Sequence, residues 1–163
     1  MMIELEKDNL ELGVISDTHG LLRPEVYRIF AGVDYILHAG DIGGVSVLTQ
    51  LEKIAPTLAV LGNTDSPIRF TDIYDTAILR TNQVSIYIIH NIGNLDLDPG
   101  KAGFQAIIYG HSHIPSVETR KDVLFVNPGS AGPERFSLPV SVARISITGD
   151  QMKADIIDLI STH

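Results

Sequence analysis

Short, β-branched apolar runs recur along the chain, and each closes on a polar loop. They are Leu12–Ile15, Tyr35–Leu37, Leu58–Leu61, Val84–Ile89, Ala106–Tyr109 and Val123–Val126. Runs of this length with almost no polar interruption predict strands covered on both faces. Helical spacing fills the gaps between the first of them. Pro24 suits a first helical position, with Val26, Ile29 and Phe30 following on one face, and Val47, Leu48, Leu51 and Ile54 form a second stripe between Val45 and Ile54. Beyond residue 75 the pattern changes to hairpins. Asp75–Arg80 faces Val84–Ile89 across Thr81-Asn82-Gln83, Ser116–Arg120 faces Val123–Asn127 across Lys121-Asp122, and Ser141–Ile147 faces Lys153–Asp158 across Gly149-Asp150. Asn91 to Phe104 reads as a loop in which Asp98-Pro99 caps at most a short helix. Strand–helix units followed by hairpins predict an α/β (α+β) protein with a mixed sheet, or two mixed sheets packed face to face with helices outside.

The chain has 163 residues, 44% of them hydrophobic, which suits a single domain spanning residues 1–163 with a core of its own. It has no cysteine, which excludes disulfides, thiolate metal sites, iron–sulfur clusters and a thiol nucleophile. Twenty acidic against twelve basic residues give a net charge of −8, which repels nucleic acids and anionic membranes. The longest apolar runs are far below the roughly 20 residues of a membrane-spanning helix. The opening MMIELEKDNLEL alternates apolar with charged residues and lacks a secretory signal's apolar stretch, so a cytoplasmic location is expected.

The polar loops change the picture. Of six histidines, five stand at or just after the end of an apolar run. The loops read Ser16-Asp17-Thr18-His19-Gly20, His38-Ala39-Gly40-Asp41, Gly62-Asn63-Thr64-Asp65, His90-Asn91, Gly110-His111-Ser112-His113 and Asn127-Pro128-Gly129-Ser130. In layered sheets, loops at one strand edge converge on a crevice where ligands bind. Asp17, His19, Asp41, Asn63, His90, His111 and His113 would then meet as oxygen and imidazole donors suited to metal ions. Spacing alone does not choose between one ion and two. Seven donors exceed the three protein ligands of an open tetrahedral zinc site, but they fit two ions about 3.5–4 Å apart that share a carboxylate. Two divalent ions against Asp17 and Asp41 leave a positive focus for a phosphate oxyanion. Some of these residues have plainer readings. His38 lies inside its strand and reads as a buried, hydrogen-bonded structural histidine. Asn127-Pro128-Gly129-Ser130 reads equally as an ordinary turn, and His163 as a loose terminus or tag remnant.

Taken in order, D-x-H, G-D, G-N, a lone His and G-H-x-H at successive strand ends resemble the calcineurin-like metallophosphoesterase superfamily. With N-P-G-S after G-H-x-H, the chain is most similar to its small bacterial and archaeal phosphodiesterase branch. The resemblance runs from about Leu12 to the C-terminus. It implies a four-layer α/β/β/α sandwich. It also implies that Asp17, His19 and His113 hold one metal, that Asn63, His90 and His111 hold a second, and that Asp41 bridges them. Asn63 would in addition hydrogen-bond the phosphate. The family uses Mn²⁺, Fe, Zn²⁺ or Ni²⁺, and an all-nitrogen and oxygen donor set with room for water favours Mn²⁺.

Two positions depart from the family. Many relatives carry a histidine after G-N that assists the leaving group, whereas this chain has Thr64, which cannot be a general acid near neutral pH. The small branch often reads H-G-H where this chain reads His90-Asn91-Ile92. The expected reaction is hydrolysis of a phosphodiester of small size by a metal-activated water, with Asp65, Thr64 and Arg135 as candidate contacts to the ligands or the substrate. The alternatives are a phosphomonoesterase, including a protein phosphatase, and a non-catalytic interaction module such as the relative in the retromer complex. Relatives also form dimers and tetramers, so a homo-oligomer is compatible.

Overall fold

A computed structural model describes residues 1–135 and 137–160, so His163 lies outside the described residues. Two sheets pack face to face. The first has five strands in the order β11-β10-β2-β3-β4, drawn from β2 (Asn9–Ile15), β3 (Tyr35–His38), β4 (Thr57–Ala59), β10 (Ser141–Thr148) and β11 (Gln151–Asp158). The second has six in the order β1-β5-β6-β7-β9-β8, from β1 (Met2–Glu4), β5 (Thr76–Arg80), β6 (Ser85–Ile89), β7 (Ala106–Ile108), β8 (Ser116–Arg120) and β9 (Val123–Asn127). Both sheets are mixed. In the first, β2, β3 and β4 are parallel and β10 is antiparallel to β2 and β11. In the second, β6, β7 and β9 are parallel, while β5 and β8 pair antiparallel to β6 and β9.

Strand patterning sets the layers. Leu10, Leu12 and Val14 alternate toward the second sheet and join Leu37, Leu79, Ile86, Ile88 and Ile108 in the central core. The opposite face of β2 carries Gly13 and Ile15 and receives the helices. A Cβ at Gly13 would stand 2.9 Å from the Phe30 ring, so the strand admits that ring only because a side chain is missing. Helix α1 (Glu25–Ile29) buries Val26 and Ile29, and α2 (Val45–Glu52) buries Val47 and Leu51. Pro24 sits one position ahead of α1 with helical φ and ψ, a boundary difference of one residue. Among the described residues, no α-helix covers the outer face of the second sheet. Tyr87, Ile107 and Phe125 are covered there by residues 92–104, which form a 3-10 turn at Ile92–Asn94 and a tight turn at Asp98, where Asp98 Oδ1 accepts from the Lys101 N–H. The fourth layer is therefore thin.

The three hairpins form where the sequence pattern predicts them. Lys121 and Asp122 take φ of 48° and 66°, the conformation of a two-residue type I′ turn. β1 has no counterpart among the predicted strands: Met2, Ile3 and Glu4 pair in parallel with Ile78, Leu79 and Arg80, and Ile3 and Leu5 pack on the central core. Among the described residues, no helix is long and apolar enough to cross a membrane.

Candidate metal centre

The topology puts the chemistry at one place. The parallel strands of both sheets carry their polar loops at their C-terminal ends, and these ends face each other across the sandwich. The first two loops are zipped together by backbone bonds. Asp17 N–H donates to Gly40 O at 2.9 Å, His19 N–H to Asp41 O at 3.0 Å and Gly20 N–H to Ile42 O at 2.8 Å. Within the second sheet Gly110 N–H donates to His90 O (2.9 Å), and the two sheets are tied through Ala131 N–H to Ser16 O (3.0 Å) and Ser130 Oγ to Asp17 O (3.1 Å). Gly62 and Gly110 allow the loops to close. A Cβ at Gly62 would overlap Asp41 N and Oδ1, and one at Gly110 would overlap Ser16 Oγ.

All seven candidate donors come together in this space. Asp17, His19 and His113 offer ligand atoms within 4.8 Å of one another, as do Asp17, Asp41 and His90. Asp17 Oδ1 lies 3.2 Å from His113 Nε2 and 3.9 Å from both His19 Nε2 and His90 Nε2. Asp41 Oδ2 lies 3.4 Å from His90 Nε2 and 3.7 Å from His19 Nε2. Asn63 Oδ1 is 3.0 Å from His90 Nε2 and 3.2 Å from His111 Nδ1. Asp17 thus belongs to both clusters, while Asp41 touches one histidine of each. Asp17 is fully buried, Asp41, His90 and His113 nearly so, and Asn63 and His111 are exposed at the mouth.

Three features suit this cluster to cations. The first is an orphaned pair: among the described residues, Asp17 Oδ1 and His19 Nε2 are buried with no hydrogen-bond partner, a costly arrangement that a metal ion relieves. The second is the His90 tautomer. Nδ1–H donates to the Ala39 carbonyl at 2.7 Å, which leaves Nε2 facing three oxygens, free to carry a proton or to ligate a metal ion in its place. Burial opposes a charge on His90, but the Asp41 side chain, the Ala39 carbonyl and the Asp17 charge outweigh it and raise its pKa. Burial likewise pushes Asp41 up, yet hydrogen bonds from His90 and the Thr64 N–H hold its carboxyl well below the usual carboxylate range. The third is strain. Seven non-glycine residues among those described have positive φ, and five of them are Asp17, His19, Asp41, His111 and His113. Each left-handed residue costs on the order of 1–3 kcal/mol and persists only where function or surroundings demand it. The donors are nitrogen and oxygen only, a set that suits divalent transition metals.

The remaining candidates divide. Thr64 is exposed and offers its backbone N–H to Asp41 Oδ1 at 3.0 Å. The Asp65 carboxylate touches no imidazole; it accepts from the N–H groups of Ile42 (3.0 Å), Gly43 (3.1 Å) and Gly62 (2.9 Å), clamping the Asp41 and Asn63 loops together. Arg135 is exposed, and its charge, behind the larger effect of burial, lowers the pKa of His113. His38 lies beneath the site. Nδ1 accepts from Gly40 N–H at 3.1 Å, and Nε2–H donates to Thr18 Oγ1 at 3.0 Å, which in turn donates to Ile42 O. Asn127 and Ser130 have a supporting role that an ordinary turn would not have. Asn127 Nδ2 donates to Gly110 O and Ser112 Oγ, steadying the loop that carries His111 and His113. Their place at the end of the apolar run Val123–Val126 marked this loop in the sequence, but not the contacts that its side chains make.

Comparison with known proteins agrees with this geometry. The model of the calcineurin-like phosphoesterase superfamily domain matches residues 10–150. The chain belongs to the calcineurin-like phosphoesterase superfamily. Its family and its phosphodiesterase-named relatives support a metal-dependent phosphoester hydrolase, and divalent metal ions are implied by the family and the clustered donors. It is 31% identical to a probable metallophosphoesterase of Methanocaldococcus jannaschii, over 91% of this chain and 81% of the relative. It is 28% identical to a phosphodiesterase of the same organism, over 74% of this chain and 83% of that protein. Its fold matches Vps29 of Entamoeba histolytica complexed with zinc at a TM-score of 0.72 and 19% identity, covering 93% of this chain and all of the other.

Proposed function

We propose that this phosphoesterase hydrolyses phosphodiesters of small size at a two-ion centre, with Mn²⁺ the favoured metal. The orphaned pair of Asp17 Oδ1 and His19 Nε2, buried among acceptors, carries the reading. Asp17, His19 and His113 would hold one ion, Asn63, His90 and His111 the other, and Asp41, whose Oδ2 lies between His19 and His90, would serve both. Divalent ions bound there supply an activated water near neutral pH and neutralise phosphoryl charge. The chain's own part is placement. The left-handed backbone at five donors aims their side chains inward, His90 presents Nε2 because Ala39 fixes its tautomer, and Asn63, at the exposed mouth, hydrogen-bonds the phosphate. The phosphodiesterase relative supports a diester over a monoester.

The likeness to Vps29 favours a second reading, a protein-interaction module that retains metal-binding residues. Catalysis separates the two where metal content does not. Metal-scrubbed protein is reloaded with Mn²⁺ and assayed on bis-p-nitrophenyl phosphate and p-nitrophenyl phosphate. The expected result is hydrolysis of the diester ahead of the monoester, about two ions taken up per chain, and loss of both in Asp41→Ala. Equal activity with and without metal overturns the two-ion reading, and no hydrolysis with Mn²⁺, Fe²⁺, Zn²⁺ or Ni²⁺ favours the interaction module.

A further inference from the structure

Ser16, one residue past the end of β2, is completely buried beside Asp17. We propose that its hydroxyl is a positioning group that makes Asp17 a one-oxygen metal ligand, holding Oδ2 inside the protein and leaving Oδ1 alone to face the ion. This role rests on the metal centre proposed for the seven donors and adds to it a residue outside that set.

Hydrogen bonding divides the Asp17 carboxylate into two unlike halves. Oδ2 accepts from the Ser16 hydroxyl at 2.7 Å and from the His111 N–H at 3.2 Å, whereas Oδ1 is buried with no hydrogen-bond partner among the described residues. It is Oδ1 that lies 3.2 Å from His113 Nε2 and 3.9 Å from His19 Nε2. The hydroxyl has another acceptor within reach, the Gly40 carbonyl, but that contact is long at 3.4 Å, and 2.7 Å is the distance at which a hydroxyl donates to an ionised carboxylate. The backbone closes the pair in. A Cβ at Gly110 would overlap Ser16 Oγ and stand 2.7 Å from Asp17 Oδ2, so no side chain at that position could take the place of the hydroxyl. Asp41 is divided in the same way by main chain alone: Oδ1 accepts from the Thr64 N–H at 3.0 Å, and Oδ2 faces His19 and His90. Each acid of the centre thus binds protein through one oxygen and faces imidazoles through the other, a division that packing alone does not require. A carboxylate held from behind meets the ion already oriented. Of the two donors to Asp17 Oδ2, Ser16 is the one a substitution can remove, because the other is main chain.

The test is calorimetric titration of metal-free protein with Mn²⁺, beside urea melts in a chelating buffer, for the wild type, Ser16→Ala and Ser16→Cys. Ser16→Ala should weaken one of the two ions by about 10- to 100-fold and leave the other near its wild-type affinity. Cysteine keeps the volume but donates weakly, so Ser16→Cys should lose affinity at the same ion, and it decides the question if the alanine variant does not fold. With Co²⁺ in place of Mn²⁺, the visible absorption of Ser16→Ala should fall below that of the wild type, because a released Oδ2 joins Oδ1 on the ion and raises its coordination number. Unchanged affinity in the variants, an unchanged Co²⁺ band, or equal weakening of both ions in step with lost stability in the melts overturns the inference. If the wild type binds a single ion and Ser16→Ala weakens it, the inference stands and the two-ion reading fails. If the wild type binds two ions, shows the Ser16 effect and hydrolyses no ester, the inference stands and the hydrolase reading fails. No uptake of metal by the wild type overturns both.

Discussion

Acidifying the metal-free protein from pH 7 to pH 5 should cost it stability through His38. The ring is completely buried, and its Nδ1 already accepts the Gly40 N–H while Nε2–H is spent on Thr18. A second proton on Nδ1 would set two N–H groups against each other where burial denies the ring access to solvent. Burial above all, with help from His90, therefore pushes its pKa down from 6.5 to about 3. The unfolded chain protonates His38 near 6.5 and the folded chain does not, so this contribution is present above pH 6.5 and lost as pH falls toward 3. At 1.36 kcal/mol per pH unit, the loss by pH 5 is about 2 kcal/mol. Neighbouring groups contribute with their own signs. His90, with its raised pKa, adds stability that is full below 6.5 and lost above it, and the depressed Asp41 adds stability that is lost only below about pH 4. His113, lowered chiefly by burial, shifts in the same direction as His38, and comparison with His38→Gln removes its share. Urea melts in a chelating buffer at pH 7, 6 and 5 should show the wild type losing about 2 kcal/mol more than His38→Gln. Parallel slopes would refute the reasoning.

Other substitutions probe the scaffold. Asp65→Ala strands three backbone N–H groups between two loops; denaturant melts should show a loss of about 2–4 kcal/mol, and Mn²⁺ titration a weakening of about 10- to 100-fold, although Asp65 touches no candidate ligand. Gly62→Ala forces a Cβ into Asp41 N and Oδ1 and should cost at least about tenfold in kcat/KM, whereas Gly44→Ala, whose nearest neighbour would be Ser46 Oγ at 3.8 Å, should cost little in the same assay. Thr64→His restores a titratable group at the mouth, and esters with alkyl leaving groups should gain at least about tenfold relative to p-nitrophenyl esters.

Much of the site was legible because period and punctuation are local. A run such as Val84–Ile89 can only be a buried strand, and a polar loop after it can only project from the strand's end. Asp17, Asp41, Asn63, His90, His111 and His113 could therefore be placed at strand ends without coordinates. β1 was missed for the complementary reason. Ile3 and Leu5 alternate as a strand should, but the partner that gives the alternation meaning lies at Ile78–Arg80, more than seventy residues away. Asp65 shows the same limit within a motif: its spacing from Asn63 fits either an oriented histidine or a cap, and only folding shows all its oxygens taken by backbone N–H groups.

The sequence by itself determined which residues form strands, which loops carry donors and which chemistries are absent, since each follows from side-chain type and short-range spacing. Tertiary structure decided which sheet edge each strand occupies, how the two sets of parallel ends face each other, and that five donors sit in left-handed backbone. It also decided that, among the described residues, Asp17 Oδ1 and His19 Nε2 are buried without a hydrogen-bond partner. These are properties of packing, in which dihedral strain and missing hydrogen bonds are balanced against contacts made elsewhere in the chain, and no local pattern records that balance.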